Sequence, residues 1–208
     1  MAVKPSLTSS PTPQLCKKAC KACGLDVYQA PVFDHLQRSQ IFWVGLSAVL
    51  FAEGDERLPL SPLTATGTLV HSIETPYRKK YSFYKTNLVK CVPLNQEKIR
   101  YPSVFEMEKC YPNFLWELEM MRPSSVFLLG KQVADFVSRK MGVPQIKLND
   151  AFKYESFSYG VTQFIPIHHP SYILVYKRKQ LQQYMNGVRA VIRQTSVQKR
   201  QLASLACA

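Results

Sequence analysis

The 208-residue sequence lacks any apolar run that approaches 18 residues, the length that a transmembrane helix needs. The segment Met1 to Gln14 is made largely of prolines, serines and threonines around no apolar core, so we expect no signal peptide. These absences predict a cytoplasmic protein with no membrane partner. The sequence also lacks an internal repeat of fixed period, which argues against solenoids and propellers.

Acidic residues are few. The chain has 14 Asp and Glu against 27 Lys and Arg, which gives a net charge of +13 at pH 7. Such an excess predicts a polyanionic partner, although a basic but otherwise ordinary soluble enzyme is an alternative. Because 46% of the residues are hydrophobic, the chain can bury a sizeable core, which excludes a disordered or fibrous protein.

Alternating strand and helix patterns predict the fold. Four short apolar runs indicate strands at Ile41 to Gly45, Tyr84 to Val89, Val126 to Gly130 and Thr162 to Ile167. Helical periodicity indicates helices at Val104 to Met121, Lys131 to Met141 and roughly Lys179 to Thr195. We therefore predict an α/β fold, a single-domain three-layer α/β/α sandwich with a central, mainly parallel four-stranded sheet. Residues 1–15 are expected to form a flexible leader, residues 16–195 the domain and residues 196–208 a frayed tail.

Ligands of open parallel sheets bind beyond the carboxyl ends of the strands. The residues that follow the predicted strands are therefore the first candidates for a site. They are Leu46 to Ala48, Asn87 to Cys91, Gly130 with Lys131, and His168 to Tyr172.

The six cysteines are not expected to form disulfides in a reducing compartment. Cys20 and Cys23 form a C-x-x-C pair, Cys91 follows a predicted strand, and Cys110 lies in the next predicted helix. Four thiolates from three segments suit zinc or an iron–sulfur cluster. Alternatively, Cys91 and Cys110 are small buried hydrophobic residues and the N-terminal pair is incidental. Cys16 and Cys207 are spare in the first interpretation.

Four motifs carry a resemblance to a known family. They are YKTNLVKCVP at Tyr84 to Pro93, EMEKC at Glu106 to Cys110, SSVFLLGKQVADF after Pro123, and HPSY at His169 to Tyr172. In this order, from Cys20 to about Leu174, the chain resembles the iron–sulfur-containing uracil-DNA glycosylases. The resemblance implies a 4Fe-4S cluster held by Cys20, Cys23, Cys91 and Cys110, with Cys16 as a competitor of Cys20.

The resemblance also implies an activity and its residues. The expected enzyme extrudes a base from DNA, hydrolyses the N-glycosidic bond and leaves an abasic site. Asn87 resembles the asparagine that hydrogen-bonds the flipped pyrimidine, and His169 the histidine that stabilises the departing base. The alternatives are that Asn87 caps a strand end and that His169 is a satisfied core histidine. His168 has no matching role and is interpreted as structural.

A basic segment follows the HPSY motif. In the family, the corresponding loop presses on the duplex, and Leu174, Val175 and Tyr176 are candidates for that wedge. The residues expected to contact DNA are Ser171, Tyr176, Lys177, Arg178 and Lys179. An ordinary solvated surface is the alternative.

Two positions depart from the family pattern. Gly45 matches the first family motif, but Leu46 stands where the carboxylate that orients the attacking water is expected. Ser47 can hold a water molecule, although it is a poor base. Glu53, Asp55 and Glu56 are candidates for the missing catalytic acid, unless all three are solvated loop charges.

The second departure is Leu63, which replaces the aromatic ring expected to stack on uracil. Together these changes suggest a base other than uracil, such as the hydroxymethylated or glucosylated cytosine of phage DNA, and hence a role in anti-phage defence. We expect a monomer and, for want of a nucleophilic lysine motif, a monofunctional enzyme. The alternatives are a uracil-DNA glycosylase of base excision repair and a catalytically silent DNA-binding module. A redox protein leaves the charge and the pocket residues unexplained.

Overall fold

The computed structural model of the chain describes residues 20–205, with side chains described for residues 20–195. Cys16, Cys207 and the predicted leader, residues 1–15, lie outside the described residues. Among the helices within residues 20–205, none combines the length and the apolar composition that crossing a membrane requires.

The centre of the molecule is a five-stranded sheet with the order β2-β1-β5-β7-β6. Strands β1, β2, β5 and β7 run parallel, and β6 is antiparallel to β7. Strands β3 and β4 form a separate hairpin. The strand bounds are β1 (Ile41–Ser47), β2 (Phe83–Val89), β3 (Leu94–Asn95), β4 (Lys98–Ile99), β5 (Ser125–Leu129), β6 (Phe157–Tyr159) and β7 (Thr162–Ile167).

The four predicted strands are confirmed, but the predicted number of strands was one too low for the central sheet. The additional strand, β6, has only three residues, and its side chains are exposed or half-buried. It therefore has no apolar run that could mark it in the sequence. Gly160, at φ +60°, makes the tight turn between β6 and β7, a conformation that favours glycine.

Five helices flank the sheet within the described residues. Their bounds are α1 (Ala65–Glu74), α2 (Val104–Met121), α3 (Lys131–Lys140), α4 (Pro170–Tyr176) and α5 (Leu181–Leu205). Helix α2 has the predicted bounds, because Ser103 and Glu106 form a capping box and Arg122, at φ +46°, ends the helix. Helix α5 begins at Leu181 rather than Lys179 and continues into the segment predicted as a frayed tail. Helices α1 and α4 were not predicted.

The helices cover both faces of the sheet. On β1, Phe42 and Val44 belong to a core shared with α2 and α3, whereas Ile41 and Trp43 belong to a core shared with α1, α4 and α5. This alternation follows from the two-residue period of a strand. The predicted three-layer α/β/α sandwich is confirmed, and the carboxyl ends of β1, β2, β5 and β7 meet at one edge of the sheet.

Candidate functional site

A cleft of about 480 Å³ opens at the carboxyl ends of β1, β2 and β7. It brings together predicted site residues from three strand ends that are far apart in the chain. They are Gly45 and Ser47 of β1, Asn87 of β2, and His169 after β7. Its remaining polar lining includes Ser61, Thr64 and Thr66, at the start of α1. The convergence of these side chains in one concave, largely apolar site is typical of a ligand-binding pocket.

Gly45 and Asn87 are direct neighbours across the β1–β2 pair. A Cβ atom at Gly45 would lie 2.3 Å from Oδ1 of Asn87, which is far closer than non-bonded atoms approach. The missing side chain of Gly45 therefore makes the space that the Asn87 amide occupies.

The side chain of Asn87 is oriented for an external partner. Asn87 is only 4% exposed and lines the cleft, and its side-chain amide has no hydrogen-bond partner among the described residues. A buried amide without partners is costly, so such a group is most often satisfied by water or ligand. An amide offers a donor and an acceptor side by side, which matches the polar edge of a pyrimidine.

The imidazole of His169 is fixed at the start of α4. Its Nδ1 accepts a hydrogen bond from the backbone N–H of Ser171 at 3.1 Å and lies 2.7 Å from the Ser171 hydroxyl oxygen. Since the N–H of Ser171 can only donate, Nδ1 is the unprotonated nitrogen and Nε2 carries the proton. Burial lowers the pKa of His169. The site therefore holds a neutral imidazole with one N–H available as a donor.

The neighbouring histidine has a different environment. Nδ1 of His168 is 3.1 Å from the hydroxyl of Tyr154, and its ring packs against the rings of Phe152 and Tyr172. Burial also lowers the pKa of His168. These contacts agree with the interpretation of His168 as structural.

Leu63, predicted to bind the base at the position where the family has a stacking aromatic, is not among the described residues that line the cleft. Leu63 is 69% exposed. Phe51 and Tyr101 line the cleft instead. Neither residue was predicted, because Phe51 lies in an irregular loop and Tyr101 follows the short β3–β4 hairpin.

Tyr101 is held in place through its main chain. The guanidinium of Arg100 donates to both carboxylate oxygens of Glu106, at 2.8 Å and 2.5 Å, and to the carbonyl oxygen of Tyr101 at 3.0 Å. Arg100 lowers the pKa of Glu106, which also completes the cap of α2. Tyr101 itself is 73% exposed. Its main chain is held by Arg100, and its aromatic ring lies at the mouth of the cleft.

The three predicted acids lie in the exposed loop after β1. Oδ2 of Asp55 accepts a hydrogen bond from the backbone N–H of Ala52, and Glu56 lies 3.4 Å from Nε2 of His35. Glu53 is also exposed. None of the described residues that line the cleft carries a carboxylate, and Glu53, Asp55 and Glu56 are therefore not part of the described lining. Their catalytic role stays a prediction.

A second cavity of about 470 Å³ adjoins the cleft and shares Leu46, Tyr101 and His169 with it. Its other lining residues come from the starts of α3 and α4 and from the predicted DNA-binding segment, and they include Lys131, Ser171, Tyr172, Val175 and Tyr176. The two cavities thus form one continuous surface around His169.

The predicted DNA-contacting residues lie beside this second cavity. Tyr176 is exposed, whereas Lys177 forms an ion pair with Asp150 at 3.0 Å, which raises the pKa of Lys177. Arg178 and Lys179 follow in a 3₁₀ turn. Ser171 contacts His169, as described above, so its observed partner is the imidazole.

The four cysteines of the predicted cluster lie in one region of the molecule. Cys91 and Cys110 are buried, and Cys20 and Cys23 are half-buried. Burial and, after it, the neighbouring thiols of Cys110, Cys23 and Cys20 raise the pKa of Cys91 to about 12. Sγ of Cys110 accepts a hydrogen bond from the backbone N–H of Lys90 at 3.3 Å. In the described part of the chain, no three side chains of His, Cys, Asp or Glu form a ready-made site for a metal ion.

This donor set fits a thiolate-bound cluster in its chemistry. A four-iron cluster binds each sulfur to a different iron, so its ligands need not converge on one point. Metal binding displaces the thiol protons, and an N–H donor to sulfur stabilises the thiolate.

Comparisons with known proteins identify the family and the fold. The family model of the Uracil DNA glycosylase superfamily matches residues 30–193, a range that contains the whole cleft but begins after Cys23. The crystal structure of wild-type Pedobacter heparinus SMUG2 is similar in fold, with a TM-score of 0.53 and 13% sequence identity over 77% of each chain. No curated protein matches the sequence. With most of its length matched, the chain belongs to the uracil DNA glycosylase superfamily.

Proposed function

We propose that the protein is a DNA glycosylase that flips a target base into the cleft and hydrolyses its N-glycosidic bond. One observation carries the proposal: the unpartnered amide of Asn87 and the neutral imidazole of His169 line the same cleft. Membership of the superfamily supports it.

The proposed reaction follows from these two groups. The bond between C1′ of the sugar and the base nitrogen breaks, and its electron pair leaves with the base. Asn87 holds the polar edge of the base, and Nε2–H of His169 donates a hydrogen bond to the base oxygen on which negative charge develops. A water molecule then adds to C1′ and loses a proton, and the departed base anion takes up a proton from solvent. The products are an abasic site and a free neutral base.

The partner in this proposal is DNA, bound by a monomer. The charge of +13 supplies the general attraction to phosphates, and Lys179, Arg178 and Lys131 lie beside the second cavity or in the turn next to it. The exposed side chains of Val175 and Tyr176 are suited to fill the space of an extruded base. No lysine is found among the described residues that line the cleft itself, and Lys131 of the adjoining cavity forms an ion pair with Asp135. Both observations support a monofunctional hydrolase rather than a lyase.

The lining of the cleft bears on how water is activated. Ser47, Ser61 and Thr64 supply hydroxyls that can orient a water molecule, but they are poor bases. Excision would therefore depend mainly on stabilising the departing base. The absence of a carboxylate from the described lining also favours the second candidate function, a catalytically silent DNA-binding module.

For the substrate, we propose a pyrimidine that carries an additional group, such as hydroxymethylated or glucosylated cytosine, and hence a role in anti-phage defence. Support comes from the space available: Leu63 lies outside the cleft, and the adjoining cavity continues past His169. Uracil, and with it base excision repair, is the competing substrate.

For the cofactor, we propose a 4Fe-4S cluster bound by Cys20, Cys23, Cys91 and Cys110. When bound, such a cluster would cross-link the N-terminal segment, the end of β2 and helix α2. The buried thiols and the N–H donor to Cys110 support this assignment. The proposed excision step uses only the protein side chains named above.

An excision assay tests the proposed function. Oligonucleotide duplexes that contain uracil, hypoxanthine, hydroxymethylated cytosine or glucosylated cytosine are incubated with the protein and then treated with alkali. We expect strand breaks at a modified cytosine and none with N87A, whose fold is checked by circular dichroism. Breaks only at uracil would favour the competing substrate, and no breaks together with tight DNA binding would favour the silent module.

A further inference from the structure

A buried ion pair lies next to the cleft, between the end of β2 and helix α2. Lys90 is 1% exposed and Glu117 is fully buried, and the ammonium is 2.7 Å from Oε2 of Glu117. Neither residue is among the described residues that line the cleft. Because desolvation offsets the attraction of two buried charges, such a pair adds little net stability. Stability alone therefore explains it poorly.

Every hydrogen of the Lys90 ammonium has an acceptor. The three acceptors are Oε2 of Glu117, the hydroxyl oxygen of Thr86 and, at 2.7 Å, the main-chain carbonyl oxygen of Asn87. The carboxylate of Glu117 is equally satisfied, since it also accepts from the hydroxyl of Tyr84 at 2.9 Å and from Thr86 at 3.0 Å. The network is thus complete, and the direction of each group in it is fixed.

Asn87 is the one member of this network that also lines the cleft. Its carbonyl oxygen is bound by Lys90, while its side chain lies against Gly45 and has no partner among the described residues. Fixing the carbonyl fixes the peptide plane, and with it the direction in which the Asn87 side chain leaves the backbone. Since the amide itself has no hydrogen-bond partner among the described residues, its direction depends on this main-chain anchor and on the contact with Gly45.

We infer that the Lys90–Glu117 pair positions Asn87 for base binding. The link to the base rests on the proposed function, whereas the link between Lys90 and Asn87 does not. Lys90 is itself held from two further sides. Its backbone N–H donates to Sγ of Cys110, and its ammonium lies 5.6 Å from the centre of the Phe33 ring.

The chain offers a matched control pair. The buried carboxylate of Glu74 forms ion pairs with the largely buried Lys85, at 3.3 Å, and with the exposed Arg78, at 3.0 Å. Lys85 lies on the same strand as Asn87, and Arg78 reaches solvent, so it is not left as a buried charge when Glu74 is replaced. Neither Glu74 nor Lys85 is among the described residues that line the cleft. Removing this pair changes the same charges near β2 but leaves the anchor of Asn87 intact.

The test compares K90M/E117Q with K85M/E74Q. Both members of a pair are changed together, because a single substitution would leave a buried charge without its partner. Gln at position 117 keeps an oxygen that can accept from Tyr84. The first measurement is the NMR signal of the Asn87 side-chain NH₂ group, assigned by its loss in N87A. The second is kcat/KM on whichever oligonucleotide the wild type cuts.

We expect the Asn87 NH₂ signal of K90M/E117Q to shift and broaden, and kcat/KM to fall about 10- to 100-fold, as for a misaligned binding group. K85M/E74Q should keep the wild-type signal and kcat/KM. If K90M/E117Q does not fold, K90Q/E117Q, which also removes both charges but keeps polar groups at both positions, should move the signal in the same direction by less.

An unchanged Asn87 signal in a folded variant of Lys90 or Glu117 overturns the inference, whatever the excision result. If the wild type cuts no oligonucleotide, the proposed function fails, but the Asn87 signal still decides whether Lys90 positions it. A shifted signal with unchanged kcat/KM would also overturn the inference, because Asn87 would then move without consequence for the base.

Discussion

The side-chain oxygen of Asn87 lies so close to Gly45 that a Cβ atom at residue 45 would be only 2.3 Å from Oδ1. Gly45 of β1 has no side chain, and the amide of Asn87 from the adjacent strand β2 occupies the space beside it. This arrangement holds the amide of Asn87 between the backbone of β1 and the cleft.

G45A should displace the Asn87 side chain. We expect a loss of about 1–3 kcal/mol in the free energy of unfolding, as for other overpacked sites, and a fall in kcat/KM of about 100-fold. Urea unfolding and steady-state excision measure the two effects. The control is G45A/N87A, in which the clash is relieved: its stability should recover while its activity does not. Equal stability of G45A and the wild type would contradict the described contact.

The pKa of His169 should lie below the ordinary value of a histidine side chain. Burial lowers its pKa in the native state, so the native protein binds fewer protons than the unfolded chain as the pH falls through about 6.5. The native state therefore loses stability over that range, and the loss from His169 ends once the pH is below the lowered pKa. Nitrogen-15 NMR of the ring should show the Nε2-protonated tautomer at pH 7. A midpoint at or above 6.5 would contradict the prediction.

H169A should impair the chemical step. General acid and hydrogen-bond groups of this kind contribute about 10²- to 10⁴-fold, and we expect kcat to fall within that range with DNA affinity little changed. S171A should have a much smaller effect, because the backbone N–H that sets the tautomer of His169 remains. Single-turnover kinetics separate this loss from a loss of binding.

The aromatic ring of Tyr101 should contact the bound DNA base, whereas Leu63 should make no contact with it. Base stacking on an aromatic side chain is worth about 1–3 kcal/mol per base, so Y101A should weaken DNA binding or excision by about 5- to 150-fold. L63A is the matched control and should behave like the wild type, since Leu63 lies outside the cleft. The opposite order of effects would support the role that the sequence suggested for Leu63.

The cysteine assignment predicts a specific pattern of cluster loss. Protein purified without oxygen should be brown and contain iron, and C91A and C110A should lose both the visible absorbance and the iron. C16A and C207A should retain them. If C16A lost the cluster and C20A retained it, the ligand would be Cys16 rather than Cys20.

The sequence predicts the parallel strands and helix α2 well because each carries a local signature. Strands β1 and β5 are continuous apolar runs, as in a sheet covered on both faces, and α2 has its capping box in Ser103 and Glu106. Strand β6 and helices α1 and α4 lack such patterns. They are short, and α1 contains two threonines and a glycine, which are weak helix formers.

The residues of the candidate site also fall into those that the sequence predicts and those that it does not. Asn87 lies near the carboxyl end of one predicted strand and His169 just after another, and the rule that strand ends meet at one edge is enough to bring them together. Tyr101 and Phe51 line the cleft from irregular segments, and the network of Lys90 and Glu117 depends on how α2 packs against β2. These relationships arise only from tertiary packing, so local sequence patterns do not contain them.

The central claim, that Asn87 and His169 excise a base from DNA, is tested most directly by detecting the free base. Mass spectrometry of the small-molecule fraction follows incubation of the protein with duplexes that contain hydroxymethylated cytosine, glucosylated cytosine or uracil. The account predicts an intact released base and an equal amount of abasic sites with the wild type, and neither product with N87A or H169A. Release of no base from any duplex, or undiminished release by N87A, would contradict it.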